Sequence, residues 1–225
     1  MVDTLLFAIF PYVAVALAIG VGLYRYFSDR FSFSSHSSQF LESRLLYWGS
    51  VPWHFAILVV LAAHLLAFLF PTAWGVLAGR PLRLYLLEIT GMVLGMTTVI
   101  GIALLLLRRA KDARLTAVST AMDWTVLLLL LVQVATGVWI AFTLRWGSVW
   151  YLHTATPWLW SLVKLDPQVQ YLAALPWLVK LHAVNAFLLI ALFPFSRLVH
   201  VVTIPLEYLG RAPQLVIWNR ARARR

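Results

Sequence analysis

Five stretches of this chain are long and apolar enough to cross a lipid bilayer, where about 20 residues suffice for a helix. Hydrophobic residues make up 62% of the 225 positions, well above their share in water-soluble domains. Backbone polar groups in lipid must bond within their own segment, so these stretches are expected to be helices. The sequence predicts an all-α integral membrane protein, with residues 1–203 forming a bundle of five transmembrane helices. The predicted helices cover about residues 4–24, 51–70, 86–107, 122–144 and 177–203.

The distribution of basic residues predicts the orientation of this bundle. If the N-terminus lies outside, 13 of the 18 lysines and arginines fall on the cytoplasmic side and five on the outer side. Positively charged loops remain inside, so the C-terminus is expected to be cytoplasmic. Residues 204–225 then form a basic cytoplasmic tail, which we expect to dock partner subunits. The same rule explains the net charge of +10 without nucleic-acid binding.

The first stretch resembles a signal peptide in length, but no basic residue precedes its apolar run and no small-x-small cleavage motif follows it. We therefore interpret it as the first membrane helix. The sequence contains no cysteine, which excludes disulfides, thiolate-held iron–sulfur clusters, thioether-linked c-type haem and cysteine zinc sites. Any redox centre in this chain must use other ligands.

Four histidines inside two of the apolar stretches could supply such ligands. His54 and His64 lie in the second predicted helix, and His182 and His200 lie in the fifth. An imidazole in hydrocarbon costs free energy unless it has a partner. Because these two helices run in opposite directions, His54 is expected level with His200, and His64 level with His182. Two imidazoles suit a haem iron, whose porphyrin fills the other four positions, better than zinc, which usually takes three or four protein ligands.

The spacing of the histidines is unequal. Ten residues of helix rise about 15 Å, whereas eighteen rise about 27 Å. Eighteen residues place His182 and His200 on one face, while His54 and His64 lie about 80° apart around their helix. We expect Pro194 to kink the fifth helix and, together with helix tilt, to absorb this mismatch. The remaining histidines, His36 and His153, fall in predicted loops and are interpreted as surface residues.

Three further features lie outside the histidine pairs. The motif Gly91-x-x-x-Gly95 in the third helix predicts close packing between helices. Residues 147–176 are rich in Trp and Pro and are expected to lie at the outer interface and cover the outer face. Asp123 is expected to cap the fourth helix or form an ion pair at its inner end.

Several motifs resemble those of the gamma subunit of respiratory nitrate reductase, a five-helix cytochrome b with two haems, and the similarity runs nearly end to end. The most specific is Leu192-Phe-Pro-Phe-Ser-Arg-Leu-Val-His200. It is followed by Pro205-x-Glu207-Tyr208-Leu209-x-Arg211 and Gln214-Leu215-Val216. Also similar are Ser37-Ser38-Gln39 with Leu41, Arg108-Arg109, and the positions Asp123, Gln133 and Gly137.

The resemblance implies roles for individual residues. The inner, proximal haem b would be held by His54 and His200 and the outer, distal haem b by His64 and His182, the pairing that topology also predicts. Quinol, either menaquinol or ubiquinol, would be oxidised beside the distal haem. The candidate quinol-binding residues are Arg83, Ala63 and Glu88. Alternatively, the carboxylate of Glu88 interacts with the positive end of its helix dipole or forms an ion pair with Arg83. The candidate partners of the haem propionates are Arg108, Arg109 and Arg197.

The resemblance also implies a function. The chain would be a multi-pass subunit of a bacterial-type cytoplasmic membrane that oxidises quinol near the outer face and releases protons outside. Electrons would pass inward to an iron–sulfur beta subunit and a molybdenum-containing alpha subunit that reduces nitrate. A di-haem b subunit of another quinone-linked reductase, acting on heterodisulfide or sulfite-related substrates, is the nearest alternative. A proton-relay transporter or membrane anchor without haem is another. The cytochrome b of bc-type complexes fits less well, because its ligand histidines are about evenly spaced on both helices.

Overall fold

The structure is a computed structural model that describes residues 1–29 and 41–202. All its regular elements in these ranges are helices, and five of them are long and apolar enough to span a membrane. The predicted fold of five membrane helices is therefore confirmed for the described residues. The predicted tail 204–225, His36 and the similar motifs at 37–39 and 205–216 lie outside those residues. The five spans, called the first to the fifth below, are Val2–Ser28, Arg44–Leu69, Pro81–Lys111, Ala121–Thr143 and Trp177–Phe195.

Residues outside the apolar windows define the starts of the second and third spans. The carboxylate of Glu42 accepts hydrogen bonds from the amides of Leu45 and Leu46 at 2.8 and 3.2 Å and so caps the second span. The third span starts with Pro81, whose missing N–H would be unpaired there in any case. Because such caps lie outside the apolar window, the second and third spans begin several residues before the predicted starts at 51 and 86.

Neighbouring spans pack in the order second, third, fourth, fifth and first. Within residues 1–29 and 41–202, the second and fifth spans make no extensive contact with each other. The two histidine-bearing spans are therefore positioned mainly through the third and fourth spans between them.

Two glycines allow the second and third spans to approach closely. A Cβ atom on Gly101 would lie 2.9 Å from the carbonyl oxygen of Gly49 and 2.9 Å from the Cβ of Trp53. The prediction for Gly91-x-x-x-Gly95 was wrong for its first member. A Cβ on Gly95 would lie 2.9 Å from Val138 of the fourth span, but one on Gly91 would meet nothing within 4 Å in the described part of the chain. Gly91 lies on an exposed face of the helix, so the two glycines do not form one packing surface.

The predicted fifth helix, 177–203, was wrong in its last third. The α-helix covers Trp177–Leu192, and the chain continues as a 3₁₀ turn over Phe193–Phe195. Ser196 is extended, and a second 3₁₀ segment covers Arg197–Val201. Proline has no N–H and its ring collides with the carbonyl four residues earlier, so Pro194 ends the α-helix rather than kinking it. Arg25 of the first span donates to the carbonyl of Pro194.

Residues 147–176 form three short helices that pack across one end of the bundle: Gly147–His153, Ala155–Val163 and Gln170–Ala173. The indole of Trp158 is buried and donates to the carbonyl of Phe7 at 2.9 Å. The indole of Trp160 donates to the carbonyl of Phe68 at 2.9 Å. The tryptophans thus tie this segment to the ends of the first and second spans. His153 is exposed at the end of its helix, as its surface interpretation predicts.

Candidate haem sites

The structure brings His54 and His200 together. Their ring centroids are 5.9 Å apart, with 64° between the ring planes. An imidazole nitrogen binds a metal ion at about 2.0–2.1 Å, so two rings on opposite sides of one metal ion have centroids about 6 Å apart. The observed separation therefore fits two ligands of one iron.

The break in the fifth span accounts for the unequal histidine spacing. From His182 to the helix end at Leu192, ten residues rise about 15 Å, which equals the rise from His54 to His64. The remaining eight residues to His200 leave the α-helix. Among the described residues, no ring contact or hydrogen bond joins His64 to His182: His64 contacts Tyr151, and His182 contacts the fourth span. The expectation that all eighteen residues form five helical turns was wrong, and His200 reaches His54 through the non-α segment that follows Leu192.

Three of the four imidazoles have the same hydrogen-bonding state. The Nδ1 atoms contact backbone carbonyl oxygens at 2.7–2.8 Å. A carbonyl only accepts, so each Nδ1 donates and each Nε2 retains its lone pair. Within the described ranges, no hydrogen bond reaches these Nε2 atoms, which is costly at membrane depth unless another partner binds them. The histidine and carbonyl pairs are His54 with Ser50, His64 with Val60, and His200 with Arg197.

His182 is held instead by side chains of the fourth span. Its Nδ1 lies 3.0 Å from the hydroxyl of Thr136, and its Nε2 lies 3.1 Å from the amide nitrogen of Gln133. The oxygen of Gln133 accepts from Asn185 at 2.7 Å. A Cβ on Gly137 would lie 3.1 Å from Cε1 of the imidazole, so this glycine permits close packing of the ring. Thr136 and Asn185 were not predicted, although polar residues inside apolar spans are the available signal.

The pair of His54 and His200 offers the two axial ligands that a porphyrin iron needs. No group of three or more metal-binding side chains occurs among residues 1–29 and 41–202. The donor atoms, their tautomer and the separation of His54 from His200 therefore fit haem iron.

Tyr151 lies against His64, and sequence reasoning did not identify it. The two ring centroids are 5.8 Å apart with the planes 78° apart. Burial raises the pKa of the Tyr151 phenol above its usual value. The ring covers the histidine from the helix Gly147–His153.

The predicted quinol-binding residues occupy different environments. Ala63 precedes His64 and is half-buried, and Arg83 is exposed near the start of the third span. The carboxylate of Glu88 accepts from the amides of Gly147 and Ser148 at 3.3 and 2.9 Å. Glu88 therefore caps the short helix that carries Tyr151, rather than the start of its own helix.

The arginines predicted to contact propionates lie at the end of the bundle near His200. Arg108 is 3% exposed and donates to the Glu42 carboxylate at 2.7 Å and to the Glu42 carbonyl at 2.6 Å. Glu42 was not predicted, because it lies 66 residues away in a connecting segment. The buried Arg108 side chain joins the starting end of the second span to the third.

Arg109 and Arg197 converge on Asp123. The carboxylate of Asp123 lies 3.5 Å from Nη1 of Arg109 and 2.8 Å from Nε of Arg197. Asp123 also forms a capping box with Thr120 at the start of the fourth span. The prediction that Asp123 caps or pairs is confirmed, because it does both.

Comparison with known proteins identifies the family. The profile of the nitrate reductase gamma subunit family matches residues 3–219. This chain belongs to the nitrate reductase gamma subunit family. As a member, it is a multi-pass membrane cytochrome b of electron transport and a subunit of respiratory nitrate reductase. The gamma subunit family carries haem b, in agreement with the histidine pairs.

Similar proteins come from several bacteria. The nitrate reductase gamma chain of Bacillus subtilis is 32% identical over 211 residues, covering 92% of this chain and 95% of that protein. The respiratory nitrate reductase 1 gamma chain of Escherichia coli is 32% identical over 214 residues, covering 93% and 95%. The nitrate reductase-like protein NarX of Mycobacterium tuberculosis is 32% identical over 226 residues, covering 98% of this chain but 34% of that protein. The resemblance identified from motifs is therefore confirmed at the level of the family.

Proposed function

We propose that this chain oxidises quinol near the outer face of the bacterial cytoplasmic membrane and passes the electrons inward through two b haems. His64 and His182 bind the distal haem, and His54 and His200 bind the proximal haem. The electrons leave to an iron–sulfur beta subunit and a molybdenum-containing alpha subunit at the cytoplasmic face. The protons of quinol are released outside. The proposed route requires the N-terminus to lie on the outer side. The basic tail 204–225 then docks the beta and alpha subunits at the cytoplasmic face.

The pairing of His54 with His200 carries this proposal. Both rings keep a free Nε2 lone pair because their Nδ1 atoms are bound to carbonyls at 2.7 Å. Ordered ligands of this kind bind metal without first breaking a protein hydrogen bond. The haems, when bound, supply one-electron redox chemistry.

The end of the bundle near His64 has the features that the quinol role requires. Arg83 offers an exposed guanidinium that can donate to a quinone oxygen. Ala63, beside His64, is small and allows a ring to approach that ligand. Because Glu88 fixes the helix that carries Tyr151, we propose that it acts on the quinol site by positioning this helix.

The opposite end has the cations that the proximal haem requires. Arg197 lies three residues before His200 and provides the carbonyl for its Nδ1. Arg109 shares the Asp123 carboxylate with Arg197. We propose Arg109 and Arg197 as propionate partners. Arg108 is predicted to act mainly through Glu42, because its side chain is buried in that ion pair.

Haem quantitation on the assembled complex in membranes tests the proposal. The wild type is expected to contain two b haems per gamma chain. His64→Ala or His182→Ala should remove one haem and abolish nitrate reduction with a quinol analogue, while an artificial donor to the catalytic subunit still supports it. His54→Ala or His200→Ala should remove the other haem and leave the distal haem reducible by quinol in stopped-flow measurements.

His153→Ala is the matched control, because this imidazole is exposed and lies outside the five spans. It should retain both haems and full quinol-driven activity. A wild-type chain without haem, or unchanged quinol oxidation in His64→Ala, would contradict the assignment. Equal losses in His153→Ala would show that the histidine substitutions act through folding alone.

A further inference from the structure

We propose that Thr136 is a positioning residue for His182. Its hydroxyl oxygen accepts a hydrogen bond from Nδ1–H of His182 and so makes the imidazole a more basic ligand of iron. This inference rests on the proposed function, in which His182 binds the distal haem. Thr136 lies on the fourth span and is 8% exposed. Its hydroxyl oxygen is 3.0 Å from Nδ1 of His182.

The hydrogen-bond partners of Thr136 determine the direction of this contact. Its hydroxyl donates to the carbonyl of Val132 at 2.7 Å, with the carbonyl of Gln133 at 3.0 Å as a second acceptor. A hydroxyl has one hydrogen and two lone pairs. With the hydrogen directed at the backbone of its own helix, the oxygen presents lone pairs to His182. The imidazole must therefore donate from Nδ1.

Gln133 independently assigns the same tautomer. Its side-chain oxygen accepts from Asn185 at 2.7 Å, so its amide nitrogen is the group that faces His182. This nitrogen lies 3.1 Å from Nε2 of the imidazole and can only donate. Nε2 therefore holds the lone pair that iron would take in exchange for the Gln133 hydrogen bond. The Thr136 bond to Nδ1 is compatible with either partner at Nε2.

His182 differs from the other three histidines in the source of its Nδ1 acceptor. Those three use backbone carbonyls of their own chain segment, which no substitution removes. The Ser50 hydroxyl also lies 3.1 Å from Nδ1 of His54, but Ser50 belongs to the same span as that histidine. The side chain that contacts Nδ1 of His182 comes from a neighbouring span. The electronic state of one haem ligand is thus coupled to the packing of the fourth span on the fifth.

A hydrogen-bond acceptor at Nδ1 makes an imidazole a more basic ligand and so favours the more positively charged ferric iron. Thr136→Val keeps the shape of the side chain but removes the acceptor. We expect the ratio of ferrous to ferric distal haem at a fixed potential to rise about three- to tenfold. A tenfold rise is an upward shift of about 59 mV in midpoint potential for one electron.

The test is a potentiometric titration of haem absorbance in membranes that contain the whole complex. Thr136→Val should raise one midpoint potential, or reduce retention of that haem by about tenfold or more. Thr136→Ser retains a hydroxyl and should restore the wild-type value. Thr125→Val is the matched control, because its hydroxyl also donates four residues back in the same span, to Ala121 at 3.0 Å, but it is exposed. Thr125→Val should leave both potentials unchanged.

Unchanged potentials and haem content in Thr136→Val would overturn the inference, as would equal effects in Thr136→Val and Thr136→Ser. A shift in Thr125→Val equal to that in Thr136→Val would also overturn it, because the effect would then be a general one of hydroxyl loss. Failure of the proposed function gives a different result. In that case His182→Ala leaves the haem content of the complex unchanged, whatever Thr136 does.

Discussion

Replacement of Gly101 by alanine perturbs a close contact between the second and third spans. The added Cβ would lie 2.9 Å from the Gly49 carbonyl oxygen, 2.9 Å from Cβ of Trp53 and 3.3 Å from its Cα. Carbon atoms attract best at about 3.5–4.0 Å, so the second span must move away by about 0.6 Å or more. None of the three atoms is the end of a flexible side chain. The strain is therefore transmitted to the backbone of the second span.

The expected destabilisation follows from two opposing terms. Inserting a methyl group into a well-packed contact costs about 1–3 kcal/mol. Alanine is favoured over glycine inside a helix by about 0.8–1.0 kcal/mol, so the net loss is about 1 kcal/mol. Because Trp53 directly precedes His54, the displacement also moves a proposed haem ligand. We expect the haem at His54 and His200 to be released at a lower temperature than the other haem.

Gly91→Ala is the matched control, since Gly91 lies in the same span and no described residue comes within 4 Å of its Cβ position. Thermal scans of the detergent-solubilised complex at one fixed rate, followed by haem absorbance, compare the two variants. Gly101→Ala should lose absorbance at a lower temperature than the wild type, and Gly91→Ala should not. If both variants behave alike, the close contact between the second and third spans does not determine ligand placement, and the reasoning from Gly101 fails.

Two further predictions concern the charged end of the bundle. Asp123→Asn leaves two arginines without their shared carboxylate and should destabilise the complex in denaturant titrations by about 1–3 kcal/mol, below the 3–5 kcal/mol of a fully buried pair. Asp112→Asn, in a pair whose arginine is 67% exposed, should have little effect, and equal losses would contradict the central role of Asp123. Partial burial raises the pKa of Glu42, but hydrogen bonds from the Leu45 amide and Arg108 lower it overall below its usual 4.5. This carboxylate therefore stabilises the fold above pH 4.5, and its contribution is lost as the pH falls through the lowered pKa. In acid titrations monitored by haem absorbance, Glu42→Gln should be less stable than the wild type at neutral pH and converge with it in acid, whereas a constant difference would refute the shift.

The sequence predicted the membrane architecture because apolar length alone determines how often a chain can cross a bilayer. It also predicted that His54 and His200 would meet, since antiparallel spans fix which residues lie level. The end of the fifth α-helix was harder to predict. A membrane helix can also continue through a proline with a kink, when other groups form hydrogen bonds with the backbone groups that the proline leaves unpaired. Here the chain leaves the α-helix after Leu192, because Pro194, Ser196 and the Arg25 contact favour 3₁₀ and extended backbone.

The contacts between spans could not be predicted, for a different reason. Gly49 and Gly101 lie on different helices, so no spacing motif links them. Glu42 is likewise separated from Arg108 by 66 residues, and only the packing of the second span on the third brings them together. Thr136 could have been identified as a polar residue in an apolar span, but its contact with His182 depends on the rotation of two helices about their axes.

The break in the fifth span explains why the ionic contacts gather near His200. A residue inside an α-helix is positioned by the regular backbone hydrogen bonds on both sides, and His54, His64 and His182 all have this support. His200 lies in a short 3₁₀ segment that starts after the extended Ser196, and such segments have weaker hydrogen-bond geometry. The Asp123 carboxylate, fixed by its capping box, holds Arg197 at 2.8 Å, and the carbonyl of Arg197 orients His200. The fourth span thus supports both fifth-span ligands, through Thr136 at His182 and through Asp123 at His200. Substitutions on a span that carries none of the four histidines should therefore affect both proposed haems separately.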